Sequence, residues 1–201
     1  MIYPATEASI DCAINSLRDG NIIVYPTDTL YGFGVDATNT DAIRKLNAIK
    51  GRARPLSVIC DDINQISTIA EINNDKTVNL INELLPGPYT ILLKSIPSNL
   101  SSSIFAGSPL VGIRIPEHFF PIEIVKRLKV PLVTTSVNRH DKEPLNDVTQ
   151  VEIDFPSIDI YEDNDHIPSK SSTIIDLSTN DYKIIRQGEG KFPKWKLTFE
   201  F

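Results

Sequence analysis

Cysteine and net positive charge are both scarce in this sequence, and each absence removes a class of function. Only Cys12 and Cys60 occur in 201 residues, far apart, with no Cys-x-x-Cys and no histidine close to either. That pattern indicates neither a disulfide framework nor a zinc site, and it fits a reducing cytosol. Lysine and arginine total 20 against 26 aspartates and glutamates, a formal charge of -6. A protein that holds nucleic acid by bulk charge needs a net basic surface, so any anion site here has to be local. No apolar run approaches the roughly 18 residues that would span a bilayer, and the opening MIYPATEASID lacks a basic segment followed by an apolar core. The expectation is a cytoplasmic protein with no membrane association. No repeat, linker or low-complexity block interrupts the chain. With 41% hydrophobic residues there is enough apolar material for one full core, which predicts a single domain over residues 1–201.

What is present is an alternation of periods. TEASIDCAINSLRDG carries Ile10, Ala13, Ile14 and Leu17 on one helical face, with Thr6 as a cap and Gly20 as a stop. NIIVYPTDT follows as a compact buried strand ending at Pro26. DAIRKLNAIKG is again helical, with Thr40 as its cap and Ile43, Leu46 and Ile49 inward, and LSVIC is again a strand. KTVNLINELL reads as a helix, YTILLK and LVGIRI as strands, HFFPIEIVKRL as a helix with Pro121 in its first turn, and PLVTTS as a strand. Three short strands, IDIYE, STIIDL and YKIIR, close the chain between polar turns. This predicts an α/β fold with a twisted mixed sheet and flanking helices. The strand and helix alternation supplies its parallel part, and the closely spaced late strands its antiparallel part.

The chemistry-bearing residues collect where strands end, which is where open α/β sheets bind ligands. KGRARPLSV puts Lys50, Arg52 and Arg54 in five residues at the end of a helix. Cations there either complement the helix dipole or form a local anion site. YGFG has neither the spacing of a dinucleotide loop nor that of a Walker loop and reads as a turn. TTSVN is open to two readings, local turn chemistry or ligand contact. Arg114, set between apolar residues, needs an anion, either a ligand or an internal carboxylate. Arg186 is an edge-strand cation or a second ligand contact. His118, His140 and His166 pair with no nucleophile. Isolated cations with hydroxyls and amides, and no nucleophile or metal cage, suit a phosphorylated or nucleotide ligand, since phosphoryl and nucleotidyl transfer depend on positioning and charge stabilisation.

Seven blocks in order, YPTDTLYGFG, KGRARPLSV, PGPYTILLK, VGIRIP, PLVTTSVN, SSTIIDL and IIRQG, running from about Asn21 to Gly188, closely resemble the YrdC-like family of threonylcarbamoyl-AMP synthases. The resemblance implies a YrdC-like domain with a concave, positively lined face. It also implies a reaction in which L-threonine, bicarbonate or carbon dioxide and ATP, accompanied by Mg2+, give threonylcarbamoyl-AMP and pyrophosphate. A partner transferase then uses the product to modify tRNA. Carried over residue by residue, Lys50 and Arg52 match the family's Lys-x-Arg motif and would hold the ATP phosphates. Thr29, Arg114, Thr134 and Ser172 would contact threonine, with Arg114 on its carboxylate. Ser136, Asn138 and Arg186 would contact ATP.

The sequence also departs from the pattern. The segment between Arg52 and Pro55 is shorter than in many members, Ile59 stands where several carry histidine, and RHDK replaces the usual Ser-Gly after Asn138. The extra C-terminal domain of longer members is expected to be absent. The YciO-like branch of the family, whose part in this synthesis is weaker, shares the TIIDL and IIRQGEG ending. Two other classes stand beside the synthase: a non-catalytic module for tRNA or double-stranded RNA, and a plain nucleotide hydrolase.

Overall fold

A computed structural model describes residues 1–51, 53–139, 142–167, 169–180 and 182–191. In chain order the elements are β1 (Ile2–Pro4), a 3-10 turn (Glu7–Ser9), α1 (Ile10–Arg18), β2 (Ile23–Tyr25), β3 (Gly32–Asp36), α2 (Thr40–Lys50) and β4 (Ser57–Ile59). They continue with α3 (Ile63–Ser67), α4 (Asp75–Leu84), β5 (Tyr89–Lys94), a second 3-10 turn (Ser102–Ile104), β6 (Leu110–Arg114) and α5 (Phe119–Leu128). Last come β7 (Leu132–Ser136), α6 (Val148–Asp154), β8 (Asp159–Glu162), β9 (Thr173–Asp176) and β10 (Lys183–Arg186).

Among the described residues ten strands join one mixed sheet in the order β1-β8-β2-β3-β7-β4-β6-β5-β9-β10. The mixed sheet is as expected, but its parallel and antiparallel parts are distributed differently. The middle strands β2, β3, β7 and β4 run antiparallel to one another in that order, while β4 is parallel to β6. Of the late strands only β9 and β10 form a hairpin. β8 is inserted parallel between β1 and β2, while β9 lies parallel to β5 in the other half of the sheet. The early alternation hid a strand: YGFG, read as a turn, opens β3, and with β3 in place β2 is followed by an antiparallel return rather than a helical crossover. Glycines weaken a strand signal, and they are required here. A Cβ on Gly34 would stand 2.6 Å from Cε1 of Tyr25, whose ring lies across the β3 backbone.

The period of two separates the sheet's faces. Val24, Phe33, Val133, Val58, Ile113 and Ile91 point to one side, where they form the larger core with Ile43 and Leu46 of α2, Leu80 and Ile81 of α4, and Val151 of α6. Ile23, Tyr25, Leu132 and Ile59 point to the other side, under Ile14 and Leu17 of α1 and Phe120 and Ile124 of α5. Helix starts follow ordinary capping: Asn39, not Thr40, caps α2, accepting from the backbone N–H groups of Asp41 and Ala42, and His118 caps α5. Thr40 instead shares a hydrogen bond with Ser101. Among the described residues no helix is long and apolar enough to cross a membrane.

Candidate functional site

The α1 and α5 layer covers only part of its face of the sheet. Beyond it the inward positions become small or polar. Leu132 on β7 is followed on the same face by Thr134 and Ser136, Ile59 on β4 is preceded by Ser57, and β3 offers Gly34 and Gly32. The register sets these residues side by side, Gly32 against Ser136 and Ser57 against both Thr134 and Gly112. Thr90 of β5, Arg114 of β6 and Arg186 of β10 complete the floor and far wall. The result is a pocket of about 220 Å3 whose walls also include Thr29, Tyr31 and Ser172. It opens on a sheet face and draws on both strand ends, Ser136 closing β7 and Ser57 opening β4. The expected row of carboxyl ends is replaced because the strands here are largely antiparallel.

Six of the residues singled out in the sequence, Thr29, Arg114, Thr134, Ser136, Ser172 and Arg186, line this one pocket. Thr29 is held by a 3.1 Å hydrogen bond shared with the Thr27 hydroxyl, and Thr27 in turn donates to the carbonyl of Leu30 at 2.8 Å. Ser172 and Thr90 share a 2.7 Å hydroxyl contact, and Arg186 donates to the Ser172 carbonyl through Nη2 at 2.8 Å and Nε at 3.2 Å. Lys50 is not a surface cation. It is only 2% exposed, and its ammonium donates to the Ser136 carbonyl at 2.8 Å and to Oδ1 of Asn138. Ser136 Oγ also donates to Asn138 Oδ1, at 2.9 Å. Lys50, Ser136 and Asn138 thus form one cluster at the pocket edge, positioned by the last turn of α2, which stops at Gly51 in the left-handed region with φ 65°. Arg54 is exposed. Arg52 and His140 lie outside the described residues.

Arg114 is 7% exposed, and its anion is internal: Nη2 meets Oδ1 of Asp28 at 2.6 Å. Burial pulls the Arg114 guanidinium below its usual range, and the Asp28 charge opposes the shift. Arg186 is pulled down as well, first by burial and then by the charge of Arg114. Its hydrogen bonds to described residues go to Ser172 alone. Among the described residues two cations face one carboxylate, an excess of one positive charge that suits a small anion. The PTDT motif points to Thr29, whereas Thr27, Asp28 and Thr90 are further residues of the site that the motifs do not mark. The alternation in YTILLK could have placed Thr90 on a common face with Leu92, but the Asp28 pairing depends on strand order. Ile59 is fully buried between α1, α5 and the sheet and is not part of the pocket wall.

Among the described residues no group of three or more His, Cys, Asp or Glu could hold a metal ion. The donor set around the pocket is hydroxyl, carbonyl and guanidinium, so it does not make a protein-held metal cage.

This geometry agrees with what the chain is similar to. A family model, Sua5_yciO_yrdC, described as telomere recombination, matches residues 15–188. A putative threonylcarbamoyl-AMP synthase of Methanocaldococcus jannaschii is 38% identical over 186 residues, covering 90% of this chain and 85% of that one. The threonylcarbamoyl-AMP synthase of Bacillus subtilis is 34% identical over 128 residues, covering 63% of this chain and only 37% of the relative, so the shared part is about a third of that longer protein. Among solved structures, P. abyssi Sua5 complexed with L-threonine superposes with a TM-score of 0.83 at 25% identity, over 94% of this chain and 56% of that one. A match that spans most of the chain, on a sheet that gathers six separated motif residues into one pocket, assigns the protein: it belongs to the Sua5/YciO/YrdC family.

Proposed function

We propose that the protein is a threonylcarbamoyl-AMP synthase, a nucleotidyltransferase that forms threonylcarbamoyl-AMP and pyrophosphate from L-threonine, bicarbonate or carbon dioxide, and ATP, acting in the cytoplasm. The product passes to a tRNA-modifying transferase. The observation that carries the reading is the pocket with one surplus positive charge and a rim of hydroxyls. Its volume, about 220 Å3, falls below the roughly 300–1,000 Å3 of drug-sized ligand sites. It therefore suits an amino acid, with the nucleotide reaching out over the Lys50, Ser136 and Asn138 edge.

In this reading Arg114 takes the threonine carboxylate, while Thr29, Thr134 and Ser172 take its remaining polar atoms. The neutral threonine amine adds through its nitrogen to carbon dioxide and releases one proton to solvent, giving a carbamate. A carbamate oxygen then attacks the α-phosphorus of ATP, and the bond to the pyrophosphate oxygen breaks. No residue has to form a covalent intermediate. Ser136, Asn138 and Arg186 orient the nucleotide, and Lys50 and Arg52 carry the phosphate charge, a phosphate oxygen replacing the Asn138 amide oxygen as acceptor from the Lys50 ammonium. Charge stabilisation by preorganised donors is the main contribution such a site can make. Mg2+ would accompany ATP and supply further neutralisation of phosphate charge.

The test is pyrophosphate release by the purified protein with ATP, Mg2+ and bicarbonate, with and without L-threonine, for the wild type and Arg114→Ala. Release that requires threonine and disappears in the variant supports the synthase. Threonine-independent release would indicate a nucleotide hydrolase, and absence of release would favour the YciO-like branch. Tight, steeply salt-dependent tRNA binding that is indifferent to both substrates would mark an RNA-binding module.

A further inference from the structure

Asp28 is the sequence neighbour of Thr29, a residue of the pocket wall. It belongs to the connection between β2 and β3 and contributes nothing to the pocket wall, whereas its partner Arg114, 86 positions away at the end of β6, does line it. Both side chains are more than nine-tenths buried. Carboxylates usually grip arginine with two parallel hydrogen bonds. Among the described residues a single one is made, Nη2 to Oδ1, and both Oδ2 of Asp28 and Nε of Arg114 are buried without a partner there. Nη1 is bonded to none of the described residues. The Tyr25 hydroxyl, also buried and unpartnered, sits beside Thr134 without meeting hydrogen-bond geometry and within range of the Arg114 charge. Its ring occupies the space that Gly32 and Gly34 leave open.

We infer that Asp28 is a positioning residue for carboxylate recognition: it pins one edge of the Arg114 guanidinium and so aims the rest of it into the pocket. An arginine has several rotatable bonds, and this one shares the pocket wall with a second cation, Arg186. A single fixed hydrogen bond on the side away from the pocket sets the direction of the fork without using up its donors.

This inference rests on the proposed binding of threonine, and its test separates the two. Calorimetric affinities for L-threonine and for L-threonine amide, which lacks the carboxylate, are measured on wild type, Asp28→Ala and Asp28→Asn. The ratio of the two affinities is the readout. Loss of an aimed, charge-assisted hydrogen bond is expected to lower that ratio by about tenfold in Asp28→Ala and about threefold in Asp28→Asn, which keeps a neutral acceptor. If Asp28 served only to neutralise Arg114, its removal would make the pocket more positive and raise the ratio, because the amide is a cation. A ratio that rises or stays at the wild-type value, in whichever variant folds, overturns the inference and leaves the threonine site intact. A wild type with no preference for threonine over the amide refutes the proposed carboxylate site itself, and the inference with it.

Discussion

Lys50 and Asn138, 88 positions apart, meet at the edge of the pocket: the buried ammonium at the end of α2 donates to the amide oxygen just past β7 and to the carbonyl of Ser136. A cation that composition would place in solvent thus ties a helix to the loop that carries two candidate nucleotide contacts.

Replacement of Lys50 by alanine is therefore expected to act twice. The Ser136 carbonyl loses the ammonium as donor, which should cost about 1–3 kcal/mol of unfolding free energy, measured by urea denaturation. Pyrophosphate formation should fall in parallel with a raised KM for ATP. Unchanged stability would show that the ammonium contributes little to holding the cluster.

Arg186 gives the opposite balance. It is exposed on the last strand, and its guanidinium reaches back to the Ser172 carbonyl. Arg186→Ala should change stability by less than about 1 kcal/mol yet remove the pocket's surplus charge, raising the KM for ATP about tenfold or more. Arg186→Lys should fall between, since it keeps the charge and loses the two-donor fork. Steady-state kinetics with ATP as the varied substrate decide the order.

Gly34 tests the floor of the site. An alanine Cβ there would approach Cε1 of Tyr25 to 2.6 Å, and the Tyr25 ring is completely buried. Gly34→Ala is expected to destabilise the protein by about 1–3 kcal/mol through overpacking, with weaker threonine binding as the ring shifts under Thr134. A calorimetric melting curve unchanged from wild type would contradict this packing.

His166 supplies a pH dependence. Burial lowers its pKa from the ordinary value of 6.5, the Asp163 carboxylate opposing, and its ring packs edge-on to Tyr31 at 4.6 Å. The folded state therefore holds the neutral imidazole, while the unfolded chain takes up a proton below about pH 6.5. The unfolded state binds more protons in that window, so stability should be level above about pH 6.5 and decline as pH drops from there through the folded-state value. Urea midpoints at about pH 7.5 and pH 5.5 should differ more for wild type than for His166→Gln. Equal differences would assign the pH effect to other groups.

Much of the fold was legible because it is written in local periods. YTILLK became β5 with matching bounds, PLVTTS led into β7, and the apolar face of α1 is the one the spacing marked. β3 escaped because its glycines serve a distant ring rather than the strand itself. α6 escaped because it is short, polar on most of its surface, and anchored mainly by Val148 and Val151. The family motifs located most of the candidate site, and the bland alternative for Lys50, a solvated cation at a helix end, is excluded by its burial.

The sequence by itself determined which segments could be strands or helices, and that anion recognition had to be local in a chain of charge -6. Those properties depend on neighbours a few residues apart. Tertiary structure alone decided that Thr29, Ser57, Thr134 and Arg114 share one face, that Asp28 is the carboxylate behind Arg114, and that Lys50 turns inward. Each of these depends on strand order and register, and a shift of one residue in pairing would turn the polar row to the opposite face.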